Sequence, residues 1–333
     1  MSKHPVVIEV TRDPVVESRH EGAAAIVKPD GTVVESWGDI DTAILPRSAT
    51  KPIQALPFVE SGAVERFGLG TEHVAMACAS HNGEPRHVET VRAWLAKVGL
   101  SEADLECGAH PPRLPATVEA LIRGNATYTN AFNNCSGKHS GFVSTARHLG
   151  EPVGGYIKYD HPVQRRLREA MSDLTGLDAD AMPYGIDGCG IPSLAVPIKS
   201  LARAMANMAE PSRLSADRAA AAIRIRAAMN AEPFMVAGTG RFCTRINGAL
   251  SGVAQVKTGA EGVFCAMLPT LGLGVAIKIW DGAGRASEVA MAALLDRLGV
   301  LPVGQRDEIL RPPLKNVVGL LVGEMRPAKS WLG

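Results

Sequence analysis

Apolar residues follow two different spacings along the chain, and the change of spacing divides it into three regions. Near the N-terminus, residues 6–10 form an apolar run of strand length, and residues 23–27 and 32–35 flank the sequence Pro29-Asp30-Gly31. Proline, aspartate and glycine favour tight turns, so this segment predicts a β-hairpin. In the last third, glycine-containing turns separate short apolar runs, which predicts a meander of four strands. These strands cover residues 242–246, 252–257, 262–267 and 272–279, and residues 320–324 are a further strand.

Between these regions the apolar residues recur every three to four positions, the spacing of amphipathic helices. Residues 85–98 are the clearest case, because Pro85 suits a first helical turn and Gly99 follows the last apolar residue. The other predicted helices cover residues 49–59, 115–122, 139–149, 163–174, 201–208, 216–229 and 286–298.

Strands at both ends with helices between them predict an α/β protein of the α+β type. We expect an antiparallel sheet flanked by helices, with an adjoining helical lobe at roughly residues 50–235. A single domain should span residues 1–333, and its sheet should be built from the N-terminal and C-terminal segments.

Composition and charge exclude several classes of partner. The 333 residues carry a formal net charge of +1, only 5% of them are aromatic, and no basic stripe is present. Nucleic acids and anionic membranes attract strongly basic surfaces, so neither is expected as a partner. The N-terminal segment lacks the apolar stretch of a signal peptide, and no segment approaches the length of a membrane span. Six cysteines in so long a chain are typical of reduced thiols, so we expect a cytoplasmic protein.

Three short motifs occur in an order that indicates serine-based acyl transfer. They are Ser48-Ala49-Thr50-Lys51, Ser80-His81-Asn82 and Lys257-Thr258-Gly259, which read as S-x-x-K, S-x-N and K-T-G. β-Lactamases and penicillin-binding proteins use this combination, in which a neighbouring amine activates the serine. Ser48 is therefore the candidate nucleophile and Lys51 its base, with Ser80 and Lys257 as a second hydroxyl and amine. The spacing of the motifs differs from that of class A β-lactamases, so the subfamily stays open at this point.

The proposed chemistry makes demands on Lys51 and has simpler alternatives. Lys51 can accept a proton only if burial or a second cation lowers its pKa from the ordinary value of about 10.4. Pro52 is tolerated only in a first helical turn, which places Ser48 near a helix N-terminus. Alternatively, Ser48 merely caps that helix while Lys51 points into solvent, and Ser80-His81-Asn82 is an ordinary turn. Asn82 is expected to orient the substrate, and His81 is either a base or a hydrogen-bonding residue.

Two polar clusters contain cysteines that could share a metal ion. Residues 133–139 read Asn-Asn-Cys-Ser-Gly-Lys-His, and residues 185–190 are rich in glycine and include Cys189. Cys135 and Cys189 would supply two thiolates, with Lys138 or His139 as a third ligand and water as a fourth, a donor set that suits zinc. From spacing alone, two free buried cysteines are the alternative, because C-x-x-K is not a standard zinc motif and an ammonium must lose its proton to bind a metal.

Longer blocks around these motifs resemble the rhizobial-type L-asparaginase family, also called class 3 or asparaginase II. The blocks cover residues 46–52, 77–84, 134–139 and 185–190, and the similarity continues through residues 257–262. The resemblance implies hydrolysis of L-asparagine to L-aspartate and ammonia, a β-lactamase-like or glutaminase-like fold, and a homodimer. It implies two Ser-Lys pairs, Ser48 with Lys51 and Ser80 with Lys257. It also implies a zinc ion that assists substrate binding and is held by Cys135, Lys138 and Cys189.

Asparagine is a small zwitterion, so its pocket needs a cation for the α-carboxylate and an anion for the α-ammonium group. Arg47 is the candidate cation, and Asp187, in the segment that carries Cys189, is the candidate anion. The alternative for both residues is a salt bridge within the protein. His81 and Asn82 complete the expected substrate-binding set.

The resulting hypothesis is a Ser-Lys amidohydrolase that acts on L-asparagine. Neutral Lys51 deprotonates Ser48, and Ser48 attacks the side-chain amide carbon of the substrate. Ser80, coupled to Lys257, passes a proton to the departing ammonia, and water then cleaves the ester; the two serines could also exchange roles. One rival is another serine hydrolase of the same fold, such as a glutaminase, a β-lactamase or a peptidase. The other is a protein that binds a small amino acid without turning it over.

Overall fold

The computed structural model describes residues 4–301, 304 and 306–332, which belong to two compact units. The sheet unit comprises Met1–Ala49, Val196–Glu210 and Gly252–Gly333, and the helical unit comprises Thr50–Ala195 and Pro211–Ser251. The helical unit therefore extends beyond the lobe expected at residues 50–235, and the segment Val196–Glu210 within that lobe belongs to the sheet unit. Residues 1–3, part of the segment in which an export signal was sought, lie outside the described residues.

The sheet unit is built on an antiparallel sheet in which the first and last strands of the chain are neighbours. The strands of the protein are β1 (Val6–Arg12), β2 (Val15–Val27), β3 (Val33–Trp37), β4 (Ala43–Ile44), β5 (Tyr184–Ile186), β6 (Pro192–Leu194), β7 (Val196–Pro197), β8 (Gln255–Thr258), β9 (Val263–Leu268), β10 (Leu273–Ile279), β11 (Pro313–Lys315) and β12 (Leu321–Pro327). The main sheet has the order β11–β12–β1–β2–β10–β9–β8, and β3 pairs with β2. Val10 of β1 lies opposite Met325 of β12, so the two ends of the chain meet inside this sheet.

Most helices begin where proline or a polar residue supplies a start signal. The helices are α1 (Lys51–Gln54), α2 (Leu56–Glu60), α3 (Ala63–Arg66), α4 (Thr71–Ala77), α5 (Pro85–Val98), α6 (Pro115–Arg123), α7 (Ser136–His148), α8 (Pro162–Thr175), α9 (Ile198–Ala209), α10 (Ala216–Ala231), α11 (Pro233–Ala237), α12 (Phe242–Ala249), α13 (Gly284–Arg297) and α14 (Arg306–Leu310). Pro85, Pro115 and Pro162 each lie in a first turn, where the missing amide hydrogen has no helical partner to lose. In the described part of the chain, no helix combines the length and the apolar character that crossing a lipid bilayer requires.

Two helices of the sheet unit pack on its central strands. Helix α9 contacts β2, β9 and β10, and α13 contacts β9, β10 and β12. At Gly274 the backbone of β10 comes so close to α9 that a Cβ atom would overlap the carbonyl oxygen of Ala202 and the amide nitrogen of Ala206. The predicted class, an antiparallel sheet flanked by helices together with a helical lobe, is confirmed.

The turn chemistry read from the sequence agrees with the sheet at two places. Val27 of β2 lies opposite Val33 of β3, and the amide of Lys28 donates to Thr32 O at 2.9 Å, which closes the predicted hairpin. Strands β8, β9 and β10 follow one another as antiparallel neighbours, as predicted for three strands of the meander.

The prediction of a meander strand at residues 242–246 is wrong, because this segment lies in helix α12. Phe242, Cys243 and Ile246 are the buried apolar residues of the segment. Positions i, i+1 and i+4 share one side of a helix, whereas a strand would point neighbouring side chains to opposite faces.

The helix predicted over residues 49–59 is interrupted. Residues Arg47–Thr50 form a 3₁₀ turn that leads directly into α1, and α2 begins after Ala55. Pro52 and Pro57 each lie in the first turn of a short helix, because a proline deeper inside a helix would break a backbone hydrogen bond. The expectation that Pro52 belongs to a first turn is confirmed.

Candidate active site

The amine of Lys51 occupies a fully buried position at the start of α1. Its Nζ contacts three oxygen atoms: Ala79 O at 2.5 Å, Ser80 Oγ at 3.0 Å and Asn134 O at 3.5 Å. A neutral amine has two N–H donors and one lone pair, so it can donate to both carbonyls and accept the hydroxyl proton of Ser80. The site can therefore hold an uncharged Lys51 without leaving any of these polar atoms unpaired.

The surroundings of Lys51 favour its uncharged form. Burial away from water is the largest influence and lowers the pKa of Lys51, and the positive charge of Lys138 acts in the same direction. Negative charge on Cys135 and Cys189 opposes this change, but the net effect is a lowered pKa. The burial that a general base of this kind requires is thus present, and the amine does not point into solvent.

Lys51 contacts Ser80, the serine that the resemblance pairs with Lys257. In the helical unit, Lys51 Nζ lies 3.0 Å from Ser80 Oγ. The implied pairs, Ser48 with Lys51 and Ser80 with Lys257, stay predictions. Ser80 lies in the segment between α4 and α5. The backbone amide of Ser80 donates a hydrogen bond to Val236 O at 2.9 Å, which holds this segment in place.

His81 uses both ring nitrogens in buried hydrogen bonds. Its Nδ1 accepts the amide hydrogen of Gly83 at 3.0 Å, so Nε2 carries the proton and lies 2.9 Å from Ser136 Oγ. The Ser136 hydroxyl in turn donates to Ala131 O at 2.9 Å. Burial, followed by the charges of neighbouring groups, lowers the pKa of His81 well below its ordinary value. This arrangement favours the hydrogen-bonding interpretation of His81 over the role of a base.

Asn82 links the same segment to an arginine that the sequence motifs did not single out. Its amide nitrogen donates to Glu84 Oε1 and to Thr239 O, both at 3.1 Å. Its amide oxygen accepts a hydrogen bond from Arg241 Nη1 at 3.1 Å, and the same nitrogen of Arg241 lies 3.3 Å from Ser80 O. Only one local signal marks Arg241, namely the Gly-Thr-Gly sequence that precedes it at residues 238–240.

Cys135, Lys138 and Cys189 converge in the helical unit, as the sequence predicts. Lys138 Nζ donates to Cys189 Sγ at 3.0 Å, and all three side chains are buried. A hydrogen bond from the Cys189 thiol lowers the pKa of Cys135 well below the usual thiol value, and the same bond raises the pKa of Cys189. Burial alone would lower the pKa of Lys138, but the negative charges of Cys189 and Cys135 outweigh it and raise that pKa. The cluster therefore favours ionisation of Cys135 and the ammonium form of Lys138, and a protonated Cys135 thiol donates to Asn134 Oδ1 at 3.0 Å.

His139 follows Lys138 on α7 and lies on a chain of hydrogen bonds that the motifs do not reveal. The amide of Glu106 donates to Tyr156 Oη at 2.7 Å, and this hydroxyl lies 2.7 Å from His139 Nδ1. The Tyr156 hydroxyl proton can point to Nδ1, and the ring proton of His139 then sits on Nε2. Among the described residues, this buried Nε2 has no hydrogen-bond partner. Tyr156 and Glu106 are far from His139 in the sequence, so no spacing could have connected them.

Asp187 lies in the tight turn between β5 and β6 that carries Cys189. The amide of Asp187 donates to Ile191 O at 2.9 Å, and Gly190 N–H donates to Asp187 O at 2.8 Å. The Asp187 carboxylate is one of the groups that raise the pKa of Lys138, so it lies on the side of the amine and thiol cluster. The turn therefore places the predicted anion beside the predicted metal ligands.

The K-T-G motif lies in the sheet unit, at the end of β8. Lys257 is buried opposite Cys265 of β9, and its Nζ donates to Thr258 O at 2.9 Å. A Cβ atom on Gly259 would lie 2.6 Å from Pro46 O, so only glycine allows this close approach. The turn after Lys257 is thus packed against Pro46, two residues before Ser48.

Arg47 and Ser48 begin the 3₁₀ turn that Pro46 precedes, also in the sheet unit. Arg47 has a φ of 51°, a left-handed conformation that is uncommon for residues other than glycine. Such backbone conformations persist where the surrounding structure enforces them, often at functional sites. The chain thus brings Ser48 and the K-T-G motif to one region of the sheet unit, and Lys51, Ser80, His81, Asn82 and the Cys-Lys cluster to one region of the helical unit.

The donor set of the Cys-Lys cluster is chemically suited to zinc. Two thiol groups and one amine nitrogen offer three of the ligands that a tetrahedral site needs. In the described residues, no group of three His, Cys, Asp or Glu side chains is arranged to hold a metal ion, so a site in this cluster would need the Lys138 amine as a ligand. Lys138 would lose its proton on binding, and the dication would take over the positive charge that the ammonium supplies beside the thiolate.

The chain that carries these residues belongs to an amidohydrolase family. Residues 8–327 match the family model described as L-asparaginase II, so the chain belongs to the L-asparaginase II family. Membership supports an amidohydrolase that acts on a small-molecule substrate. The sequence has no significant match among curated proteins.

Several solved structures share part of the chain path. A β-lactamase from Mycobacterium bovis is 14% identical with a TM-score of 0.43, over 83% of this chain and 94% of that one. The native form of a protein named Mglu is 16% identical with a TM-score of 0.45, over 84% of this chain and 64% of that one. An octameric penicillin-binding protein homologue from Pyrococcus abyssi is 16% identical with a TM-score of 0.30, over 90% of this chain and 80% of that one. All three TM-scores are below 0.5, so the assignment rests on the family model.

Proposed function

We propose that the protein hydrolyses L-asparagine to L-aspartate and ammonia through an acyl-enzyme on a serine. The observation that carries this proposal is the contact of 3.0 Å between the buried Lys51 Nζ and Ser80 Oγ, together with the lowered pKa of Lys51. An amine that is neutral at working pH and touches a hydroxyl is the pair that Ser-Lys acyl transfer requires. Membership of the L-asparaginase II family supports the choice of a side-chain amide as substrate.

In the proposed mechanism, Lys51 accepts the proton of Ser80 while the Ser80 oxygen forms a bond to the side-chain amide carbon. The C–N bond then breaks, and the proton held on Lys51 Nζ passes to the departing ammonia. Water, deprotonated by the same amine, attacks the aspartyl ester and releases L-aspartate. Asp187 binds the α-ammonium group of the substrate, as predicted from its charge. The hydrogen bond from the Ser80 amide to Val236 O fixes this segment and keeps the Ser80 hydroxyl in place.

Ser48 is the second candidate for the nucleophile, because it is the serine of the S-x-x-K motif and precedes Lys51 by three residues. The two assignments differ in which hydroxyl carries the acyl group. Lys257 and the turn that follows it lie in the sheet unit together with Ser48.

Trapping the acyl-enzyme distinguishes these possibilities. We expect ammonia release from L-asparagine and an aspartyl adduct, after rapid acid quench, on the peptide that contains Ser80. Ser80→Ala should abolish both the adduct and turnover. An adduct on Ser48 would return the nucleophile to that residue. Faster turnover of L-glutamine or of a β-lactam would identify a different amidohydrolase, and tight binding without turnover would indicate a binding protein.

We also propose that Cys135, Lys138 and Cys189 hold a zinc ion, whose charge would help to orient the substrate. The lowered pKa of Cys135 and the buried Nε2 of His139, which has no hydrogen-bond partner in the described part of the chain, support a polar ligand in this region. No chemical step above depends on this ion. The homodimer and the cytoplasmic location stay predictions.

The zinc proposal has a test that does not depend on activity. The purified protein is expected to contain close to one zinc per chain by mass spectrometry of the metal, and Cys135→Ala should lose most of it. Cys78→Ala is the matched control, because Cys78 is also buried but is not one of the proposed ligands. Its thiol instead donates to Val74 O at 3.5 Å. Unchanged zinc in Cys135→Ala, or none in the parent, would contradict this ligand set.

A further inference from the structure

Arg113 and Arg241 of the helical unit lie within electrostatic range of each other, and neither guanidinium has a carboxylate partner among the described residues. Arg241 donates to neutral oxygen atoms, Ser80 O and Asn82 Oδ1. Within the described ranges, the side chain of Arg113 forms neither a hydrogen bond nor an ion pair with another residue. Partial desolvation, followed by the positive charge of Arg241, lowers the pKa of Arg113. The positive charge of Arg241 thus makes the charge on Arg113 less favourable, and negative charge on Cys135 acts in the opposite direction.

Both arginines are anchored on the segment that carries Ser80. The backbone amide of Arg113 donates to Asn82 O at 2.9 Å, and Arg241 contacts Ser80 O and the side chain of Asn82. The carboxylate of this network, Glu84, is bound to Asn82 and to Thr239. Two positively charged residues without a carboxylate partner among the described residues are thus attached to the segment that carries Ser80.

A small anion is the ligand that this arrangement favours. An anion beside both guanidinium groups would relieve their repulsion, and the planar N–H donors of arginine suit the two oxygens of a carboxylate. Arg113 is exposed and Arg241 is only half-buried, so a ligand from solvent can reach both. We propose that Arg113 and Arg241 form the subsite for the α-carboxylate of the substrate. This inference rests on the proposed function and places the carboxylate at these residues, where the sequence had suggested Arg47.

A comparison of two substrates in one variant tests the subsite. L-Asparaginamide has a neutral amide in place of the α-carboxylate and still carries the reacting side-chain amide. In Arg113→Gln, the KM for L-asparagine should rise about 10-fold to 100-fold with kcat within about three-fold, because a charge-assisted hydrogen bond is lost. The kinetics of L-asparaginamide should not change. Arg241→Gln should weaken L-asparagine binding in the same direction.

Arg123→Gln is the matched control, because Arg123 lies on α6, near Arg113 in the sequence, and pairs with Glu119 on the surface. It should leave both substrates unaffected. An unchanged KM in Arg113→Gln, or an equal loss for both substrates, would overturn the subsite. Selective weakening of L-asparagine binding in Arg47→Gln alone would overturn it as well.

A parent protein that does not turn over L-asparagine would contradict the proposed function, and the subsite would then be decided by calorimetric titration with L-aspartate. Weaker binding to Arg113→Gln than to the parent supports the subsite. Equal binding to the two proteins, or none to the parent, contradicts it.

Discussion

Lys51→Met is expected to lower kcat for asparagine hydrolysis by about 10³-fold, the loss typical when a general base is removed. The methionine side chain has a similar length but no lone pair that can take the proton of Ser80. The buried position does not require a charge, so the variant should keep the native fold, as checked by near-ultraviolet circular dichroism. Steady-state ammonia release measures the loss.

Lys97→Met provides the control for this experiment. Lys97 is exposed on α5 and donates to Gly68 O at 3.3 Å, so its replacement should leave kcat within about two-fold of the parent. If Lys51→Met keeps kcat within ten-fold while folded, Lys51 is not the base. Ser80 would then need another proton acceptor, and the proposed mechanism would fail with it.

The sequence motifs contain the chemical groups of the candidate site, but they do not predict the contact between Lys51 and Ser80. Lys51 lies three residues from Ser48, and this short spacing made Ser48 the natural partner in a local interpretation. The contact with Ser80 joins residues 29 positions apart, and it depends on how the segment after α4 packs against α1. Such a contact is set by tertiary packing, which a motif does not encode.

Periodicity predicted the elements well wherever one spacing dominated the segment. The hairpin of β2 and β3 and the helix α5 have unambiguous patterns and clear turn or start signals. Residues 242–246 lack such an unambiguous pattern, because the glycines on both sides resemble the turns of the neighbouring meander. Only the burial of Phe242, Cys243 and Ile246 on one side distinguishes the helix, and that spacing was already present in the sequence.

Arg113, Arg241 and Tyr156 were missed for a different reason. None of them belongs to a motif, and each acquires its role from residues that are distant in sequence, as Tyr156 does from Glu106 and His139. The two arginines draw attention only when their partners are known, because a charge without a counter-ion is a property of the folded chain. Charged groups without counter-ions are therefore the part of such a site that sequence patterns reveal least.

The residues that bring charge into the helical unit also explain why the pKa of Lys51 is lowered while the pKa of Lys138 is raised. Lys138 lies against Cys189 and near Cys135, and negative charge on these groups stabilises its ammonium form. Lys51 contacts two carbonyls and a hydroxyl, which a neutral amine can satisfy, and the charge of Lys138 disfavours a second ammonium. The pKa values of the two amines therefore shift in opposite directions, because negative charge on the cysteines outweighs burial at Lys138 but not at Lys51.

Gly274→Ala is expected to lower the free energy of unfolding by about 3 kcal/mol, the upper part of the range for overpacking a core. The new methyl group would overlap backbone atoms of Ala202 and Ala206, which cannot rotate away as a side chain can. Helix α9 would have to move off β10, and its contacts with β2 and β9 would loosen at the same time. Thermal unfolding should show a Tm lower by on the order of 5 °C.

Gly284→Ala is the matched substitution in the same unit. Gly284 begins α13, and an added Cβ would have no atom within 4 Å apart from its own helix and chain neighbours. Alanine favours helices over glycine, so this variant should be as stable as the parent or slightly more stable. Equal melting temperatures for Gly274→Ala and the parent would mean that β10 and α9 are not packed this closely. A lower melting temperature for Gly274→Ala but not for Gly284→Ala would instead show that direct backbone contact between β10 and α9 stabilises the sheet unit.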